Sequence, residues 1–345
     1  MVPNNSVVLP AEWYKQSAVQ LTWPHAKTDW APYLEEANEC FVNIAEEIIK
    51  REKLLIVTPE PDKVRSLLAH CPQDNIIYAK LPTNDTWARD HAGITVLEHG
   101  NPVVLDFRFN GWGNKFAAEL DNQINKGISN LHLFSADISL RSKKDFVLEG
   151  GSVESDGCGT LLTTNHCLMA PNRNDRMSKA DIENYLLKTF GLNRVLWLNY
   201  GHLEGDDTDG HIDTLVRFCN AKTLAYVKCS DTSDSHYPEL QKMEAALTEF
   251  RTAAGKPYQL VPLPHAEAIW ENGERLPATY ANFLIINGAV LMPIYGIKED
   301  KIAVAAIKTA FPNREVVEIN CRVLIKQHGS LHCVTMQYPE GVFNG

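Results

Sequence analysis

A cysteine near the end of the chain and a histidine far upstream are the residues most able to do chemistry. Cys333 lies in Leu331-His332-Cys333-Val334-Thr335-Met336-Gln337, a strand-like run, and Asp209-Gly210-His211-Ile212-Asp213 offers a histidine and a carboxylate two residues apart. A thiol attacks as its thiolate, and free cysteine titrates near about 8.5, so at neutral pH it needs a proton-transfer partner. In extended chain, residues two apart share a face and neighbours point to opposite faces. His211 and Asp213 are therefore expected to project together, with Ile212 opposite. By the same alternation the adjacent His332 should point away from Cys333, which leaves His211 as the better partner.

Three further segments add carboxylates. Thr86-Trp87-Ala88-Arg89-Asp90 precedes a strand; its carboxylate could accept paired hydrogen bonds from a guanidinium, and its indole could stack on the same planar cation. An internal Arg89–Asp90 pair beside a core tryptophan explains that segment equally well. Glu149 stands before Gly150 and Gly151, where glycine allows backbone to approach a ligand closely; an ordinary strand-end carboxylate is the plainer explanation. The run 205–213 concentrates Asp206, Asp207, Asp209 and Asp213 with His211. That group could hold a divalent metal, or His211 could act as acid and base while Asp213 fixes a cation. A solvated acidic loop is the third option.

The elements that must position these residues repeat. Hairpin, helix and strand recur four times, roughly every 50 to 70 residues, as a pattern without sequence identity. The first unit has strands at 94–97 and 103–109, a helical segment from Asn114 and a strand near Leu131. The second runs through strands at 146–153 and 160–164, a helix at 178–190 and a strand at 195–198. In the third, strands at 212–218 and 224–228 precede a helix at 239–252 and a strand at 259–262. The fourth has strands at 283–286 and 290–294, a helix at 300–310 and a strand at 316–319. The last strand, 331–337, opens a fifth unit whose missing parts stand at the other end of the chain: a strand at 19–23, a helix at 33–51 and a strand at 54–57. Pairing the two ends would complete that unit, and closure into a ring would remove exposed sheet edges. In such a ring Asp90, Glu149, His211, Asp213 and Cys333 could share one pocket.

Composition narrows the partners. With 345 residues and 44% hydrophobic content the chain can bury a sizeable core. The excess of 43 acidic over 33 basic residues, a net charge of -10, disfavours nucleic acid and mildly suits a cationic small molecule. No apolar run approaches the about 20 residues that span a bilayer, and the start does not read as a secretory signal. The eight cysteines contain no Cys-x-x-Cys pair, against a zinc knuckle or thioredoxin-type motif, and a reduced cytoplasmic protein is expected. The seven cysteines other than Cys333 are expected in the core or at its boundary.

Several motifs occur in a familiar order: Leu9-Pro10-Ala11-Glu12-Trp13, Leu21-Thr22-Trp23-Pro24-His25, Trp87-Ala88-Arg89-Asp90, Glu149-Gly150-Gly151, Asp207-Thr208-Asp209-Gly210-His211-Ile212-Asp213 and His332-Cys333-Val334-Thr335. Over nearly its whole length the chain resembles the agmatine deiminase and Porphyromonas-type peptidylarginine deiminase family of guanidine-modifying enzymes. The resemblance implies the α/β pentein fold, a five-bladed propeller with pseudo-fivefold symmetry, as one catalytic domain over 1–345. It implies a Cys-His-acid site without metal or cofactor. Cys333 then corresponds to the nucleophile, His211 to the general acid/base, Asp90 and Asp213 to the acids that hold a guanidinium, and Glu149 to a further site carboxylate. Trp87 and Asp207 join Asp90, Asp213 and Glu149 among the substrate-contacting residues.

The implied reaction is hydrolysis of a small guanidinium substrate, agmatine first, to N-carbamoylputrescine and ammonia, which would belong to putrescine and polyamine metabolism. Free arginine and peptidylarginine are the neighbouring substrates. Amidino transfer, a metal-dependent hydrolase and a non-catalytic pentein binding protein are the other classes, and a homo-oligomer is compatible with the family. Two departures stand beside the expected pocket. Gln327-His328-Gly329-Ser330-Leu331 replaces the usual run of three glycines, and His91-Ala92-Gly93 follows Arg89-Asp90 where x-Gly-Pro is typical. Substrate choice is expected to differ at 327–331.

Overall fold

The computed structural model describes residues 7–344. Its strands form five sheets of three or four strands and one small hairpin, Trp270–Glu271 with Glu274–Arg275. Each large sheet contains the repeat unit: an antiparallel pair, a helix, and a strand that returns parallel to the middle one. The third unit is typical. Val216–Asn220 pairs antiparallel with Thr223–Lys228, the helix Tyr237–Glu249 follows, and Gln259–Pro264 returns parallel to Thr223–Lys228. The unit around Asp300–Ala310 is built the same way from Leu284–Ile286, Ala289–Ile294 and Glu315–Asn320.

The chain ends do pair. Thr335–Pro339 lies antiparallel to Gln16–Thr22, with Thr335 opposite Leu21, and Lys53–Thr58 joins that strand on its other side after the helix Leu34–Ile49. Leu54, Leu55, Ile56 and Val57 are all fully buried, as expected for a parallel strand covered on both faces. Among the described residues, the five sheets remain separate ladders and no strand joins one to the next.

Local chemistry explains several boundaries. In the helix Lys179–Phe190, Ser178 and Asp181 form a reciprocal capping box and Gly191, at φ +64, ends the helix. Other elements differ from the sequence expectation. The segment near Leu131 is no strand but follows the helix Ile124–Asn130, and the returning strand of that unit is Ser139–Val147. Most of that strand is only partly covered, and its Arg141-Ser142-Lys143-Lys144 stretch lacks the apolar alternation that marks a strand in sequence. The expected strand at 146–153 is interrupted by the 3-10 turn Gly150–Ser152. Residues 212–214 form a 3-10 turn before Val216–Asn220, and 331–334 form a turn before Thr335–Pro339. Both chemical motifs thus sit on turns at strand entrances, not within strands. No helix among the described residues is long and apolar enough to cross a membrane.

Candidate active site

Cys333 sits in the turn that feeds the closing strand, and it is 5% exposed. The side chain of Asn282 holds this turn: its Oδ1 accepts from the backbone N–H of His332 at 2.9 Å and of Cys333 at 3.3 Å, and lies 3.4 Å from the Cys333 Sγ. Cys333 faces a cavity of about 190 Å³ that is also lined by Trp87, Asp90, Trp112, Asp29, Asp85, Asp207 and His328. Trp87 leans against the turn so closely that a Cβ at Gly329 would stand 2.1 Å from its ring. Only glycine lets the 327–331 segment lie on that indole. Among the described residues lining the cavity there is no lysine or arginine.

Behind the cavity, three charged side chains converge on Gly151. A Cβ there would lie 2.5 Å from His211 Nδ1, 3.0 Å from Asp90 Oδ1 and 3.1 Å from Asp213 Oδ2. The glycine expected to allow close approach of a ligand instead allows close approach of these side chains. Asp90, on the short helix Ala88–His91, accepts from the Gly151 N–H at 3.0 Å and from the Trp112 indole at 3.1 Å. The Arg89–Asp90 pair that the sequence left open does not form: Arg89 turns its Nε to the His332 carbonyl and its Nη1 toward Met336 Sδ. His211 Nδ1 is 3.6 Å from Asp90 Oδ1.

Burial sets the resting charges. It lifts the Asp90 carboxyl to about 6, with Asp213 and Glu149 adding repulsion and His211 opposing. Burial also disfavours charge on His211, yet Asp90, Cys167 and Glu149 around it together outweigh that and carry the imidazole up to about 10. Asp213 is driven the other way: desolvation opposes its charge, but the hydrogen bond from His332 and the nearby cations hold it below the ordinary carboxylate value. Its Oδ1 is buried without a hydrogen-bond partner. Burial pushes the Cys333 thiol well above its usual value, and Asp213 and Asp90 push it further. The resting site therefore holds a neutral thiol and an imidazolium between two carboxylates.

Glu149 was expected at the substrate. Both of its oxygens accept from Nε of Arg173, at 2.9 and 3.0 Å, with both side chains fully buried; Glu149, like His211 and Asp213, is buried behind the cavity and is not part of its lining. Arg173 also reaches Asp209 at 2.6 Å and the Thr208 carbonyl at 2.8 Å. Asp206 accepts from Thr208 and Gly210 within its own loop. The acidic run is thus tied down internally instead of gathering around His211. Glu149, Cys167 and His211 do place ligand-capable atoms within 4.8 Å of one another, but the guanidinium on Glu149 puts a fixed cation where a metal would need that carboxylate.

Asp207 lies at the cavity rim and is partly exposed, with its Oδ2 3.9 Å from Nδ1 of His328. His328 has a left-handed backbone, φ +65, and its Nδ1 donates to the Gly205 carbonyl at 2.8 Å. The departure from a glycine run therefore occupies a position that glycine suits, and it places an imidazole at the mouth. His332, Arg173, Asn282 and Trp112 were not picked out as site residues by sequence. Their roles depend on which distant element each one meets, and nothing local in the sequence signals that.

The fold is the α/β fold of the agmatine deiminase structures. The family model for Porphyromonas-type peptidyl-arginine deiminases matches residues 8–339, and the chain belongs to that family. A Legionella pneumophila (strain Paris) protein named "Putative agmatine deiminase" is 32% identical over 338 residues, 96% of this chain and 95% of the relative. A structure described as the "Putative Arginine Deiminase from Porphyromonas gingivalis" is 52% identical with a TM-score of 0.94, covering 98% of this chain and 100% of that one. A Cys-to-Ser variant of the C. jejuni agmatine deiminase, with substrate bound, is 38% identical with a TM-score of 0.91 over 97% of each chain.

Proposed function

We propose that this chain is a hydrolase of C–N bonds in linear amidines that converts agmatine to N-carbamoylputrescine and ammonia through a covalent intermediate on Cys333. The observation that carries the reading is the cavity: Cys333 and Asp90 share its lining with Asp29, Asp85 and Asp207, and no lysine or arginine lines it among the described residues. Agmatine is cationic at both ends. Free arginine carries a carboxylate at the far end, which would meet Asp207, Asp29 and Asp85 with no strong cation opposite.

In the mechanism, Asp90 in the cavity lining and the unpartnered Oδ1 of Asp213, buried behind it, clamp the planar guanidinium by charge-assisted hydrogen bonds, and Trp87 packs beside it. Burial, with repulsion from Asp213 and Asp90, keeps Cys333 protonated; the bound cation beside the sulfur offsets both, and the thiol loses its proton to solvent. The thiolate attacks the central carbon and forms a C–S bond. His211 gives its proton to the departing nitrogen, so ammonia leaves and an S-alkylthiouronium remains. His211, now neutral, takes a proton from water as that water attacks the same carbon. The C–S bond breaks with its electron pair returning to the Cys333 sulfur, the remaining hydroxyl proton leaves to solvent, and the ureido carbonyl forms. Arg173 and Glu149 do not touch substrate in this scheme; they fix the loop that carries His211.

We further propose that the five sheets stand as blades around a common axis, in a pentein arrangement. Support comes from the pairing of the chain ends and from the convergence of Asp90, Gly151, His211 and Asp213, which come from three different repeat units.

Arginine is the second reading. It is favoured by His328, the one lining residue able to bring positive charge to the mouth. Initial rates of ammonia and ureido formation from agmatine, arginine and a peptidylarginine decide between them. Agmatine is expected to lead by about 100-fold or more in kcat/KM, on the order of one unmatched buried charge. A higher rate with either of the other two would overturn the substrate assignment.

A further inference from the structure

His332, next to the proposed nucleophile, has both ring nitrogens on carboxylates. Its Nδ1 is 2.7 Å from Asp213 Oδ2 and its Nε2 is 2.7 Å from Glu12 Oε2. An ionised carboxylate only accepts hydrogen bonds, so each contact at this distance calls for a hydrogen on the ring nitrogen. Glu12 is in addition held by the Arg217 Nη2 at 2.7 Å and by the Ile285 N–H at 2.6 Å. Burial opposes its charge, but Arg217 and His332 keep it below the ordinary carboxylate range. Arg217 Nη2 donates one of its two hydrogens to Glu12 and lies 3.1 Å from the same His332 Nε2; were Nε2 to accept the second, it would face Glu12 Oε2 acceptor to acceptor at 2.7 Å. Arg217 also pairs with Glu154 and donates to the Phe283 carbonyl.

All of these side chains are buried. Asp213, Glu12 and Glu154 face Arg217, Arg89 and His332 in this cluster, and burial lifts the Glu154 carboxyl while Glu12 and Asp213 are held below the ordinary carboxylate value. Buried charges persist where they are paired in this way.

We propose that His332 is a positioning residue: an imidazolium that bridges Glu12 to Asp213, fixes Asp213 through Oδ2, and so leaves Oδ1 aimed at the substrate guanidinium. This inference rests on the guanidinium reading of the site and assigns a role to the N-terminal Glu12, which the proposed mechanism leaves unused. Glu12 and Cys333 stand at opposite ends of the chain, and the bridge ties the clamp to the pairing of those ends.

The test has two arms. In the first, nitrogen NMR of the unmodified protein, with ring-labelled histidine and His332→Gln used for assignment, reads the protonation of both His332 nitrogens at neutral pH without any turnover. Both are expected to carry hydrogen; a neutral ring with one bare nitrogen would overturn the proposal. In the second, agmatine binding is measured by calorimetry in Cys333→Ala and in Cys333→Ala combined with either His332→Gln or Glu12→Gln. Each added substitution is expected to weaken binding at least tenfold, with the Glu12 variant serving if His332→Gln does not fold. Unchanged binding in a folded double variant would remove the positioning role. If both nitrogens are protonated and yet no guanidinium binds to Cys333→Ala, the function fails and the charge assignment stands.

Discussion

Arg173 holds Glu149 through its Nε, 2.9 and 3.0 Å from the two carboxylate oxygens, in a fully buried pair that stands behind the catalytic face. Removing one partner leaves an uncompensated charge in the interior, which costs about 3–5 kcal/mol. Arg173→Met is therefore expected to lower the unfolding free energy in urea by about that amount, and Arg173→Met with Glu149→Gln should recover part of it. A loss below about 1 kcal/mol, the range of exposed pairs, would contradict the assignment of this pair as a buried support.

The second prediction concerns pH. Asp90 must be ionised to bind a cation, and His211 must be protonated to deliver a proton to the leaving nitrogen. With Asp90 lifted to about 6 and His211 to about 10, kcat/KM should rise through about pH 6 and fall through about pH 10. The sign of the coupling is testable by NMR titration. Asp90 stabilises the charged imidazole, so Asp90→Asn must move the His211 titration to lower pH. An unmoved titration would show that another group holds the proton.

Gly151→Ala tests the convergence of the site. The new Cβ would press on His211 Nδ1 at 2.5 Å, and overpacking of this kind costs about 1–3 kcal/mol. Because the nearest atoms are those of His211, Asp90 and Asp213, kcat/KM should fall at least about tenfold, the share of that cost falling on the transition state. Normal activity in this variant would show that His211 does not act from its present position.

His328 offers a test of specificity. It adopts φ +65, where a non-glycine residue is strained by about 1–2 kcal/mol. His328→Gly should therefore keep or raise stability. It also removes the imidazole, the one lining side chain among the described residues that can become cationic, so the preference for agmatine over arginine should grow by roughly threefold or more, as for a rim charge. Steady-state kinetics with both substrates read this ratio, and a falling ratio would assign His328 the opposite role.

Much of the repeat was legible because its strands are apolar and buried while its helices have clear limits; Asp300–Ala310 has the expected bounds. The mostly polar strand Ser139–Val147 was not, since its partial exposure removes the hydrophobic signal. The chemical residues Cys333, His211, Asp90 and Asp213 stood out by type and motif, whereas their supports did not. His332 is instructive. Strand alternation directed it away from Cys333, but the segment is a turn, and His332 is withheld from the thiol because Asp213 and Glu12 occupy both its nitrogens. Glu149 was expected to face substrate; its partner Arg173 lies further along the same repeat unit, in the loop between Asn165–Leu168 and Lys179–Phe190, with no local signature.

The central claim is that Cys333 forms the covalent bond. Enzyme quenched in acid during turnover of agmatine, then analysed by intact mass and peptide mapping, tests it directly. An adduct on Cys333 with the mass of agmatine less ammonia is expected. It should be absent in Cys333→Ala, whose turnover should fall by about four orders of magnitude or more. Turnover retained in Cys333→Ala, or an adduct on Cys167 instead, would contradict the account.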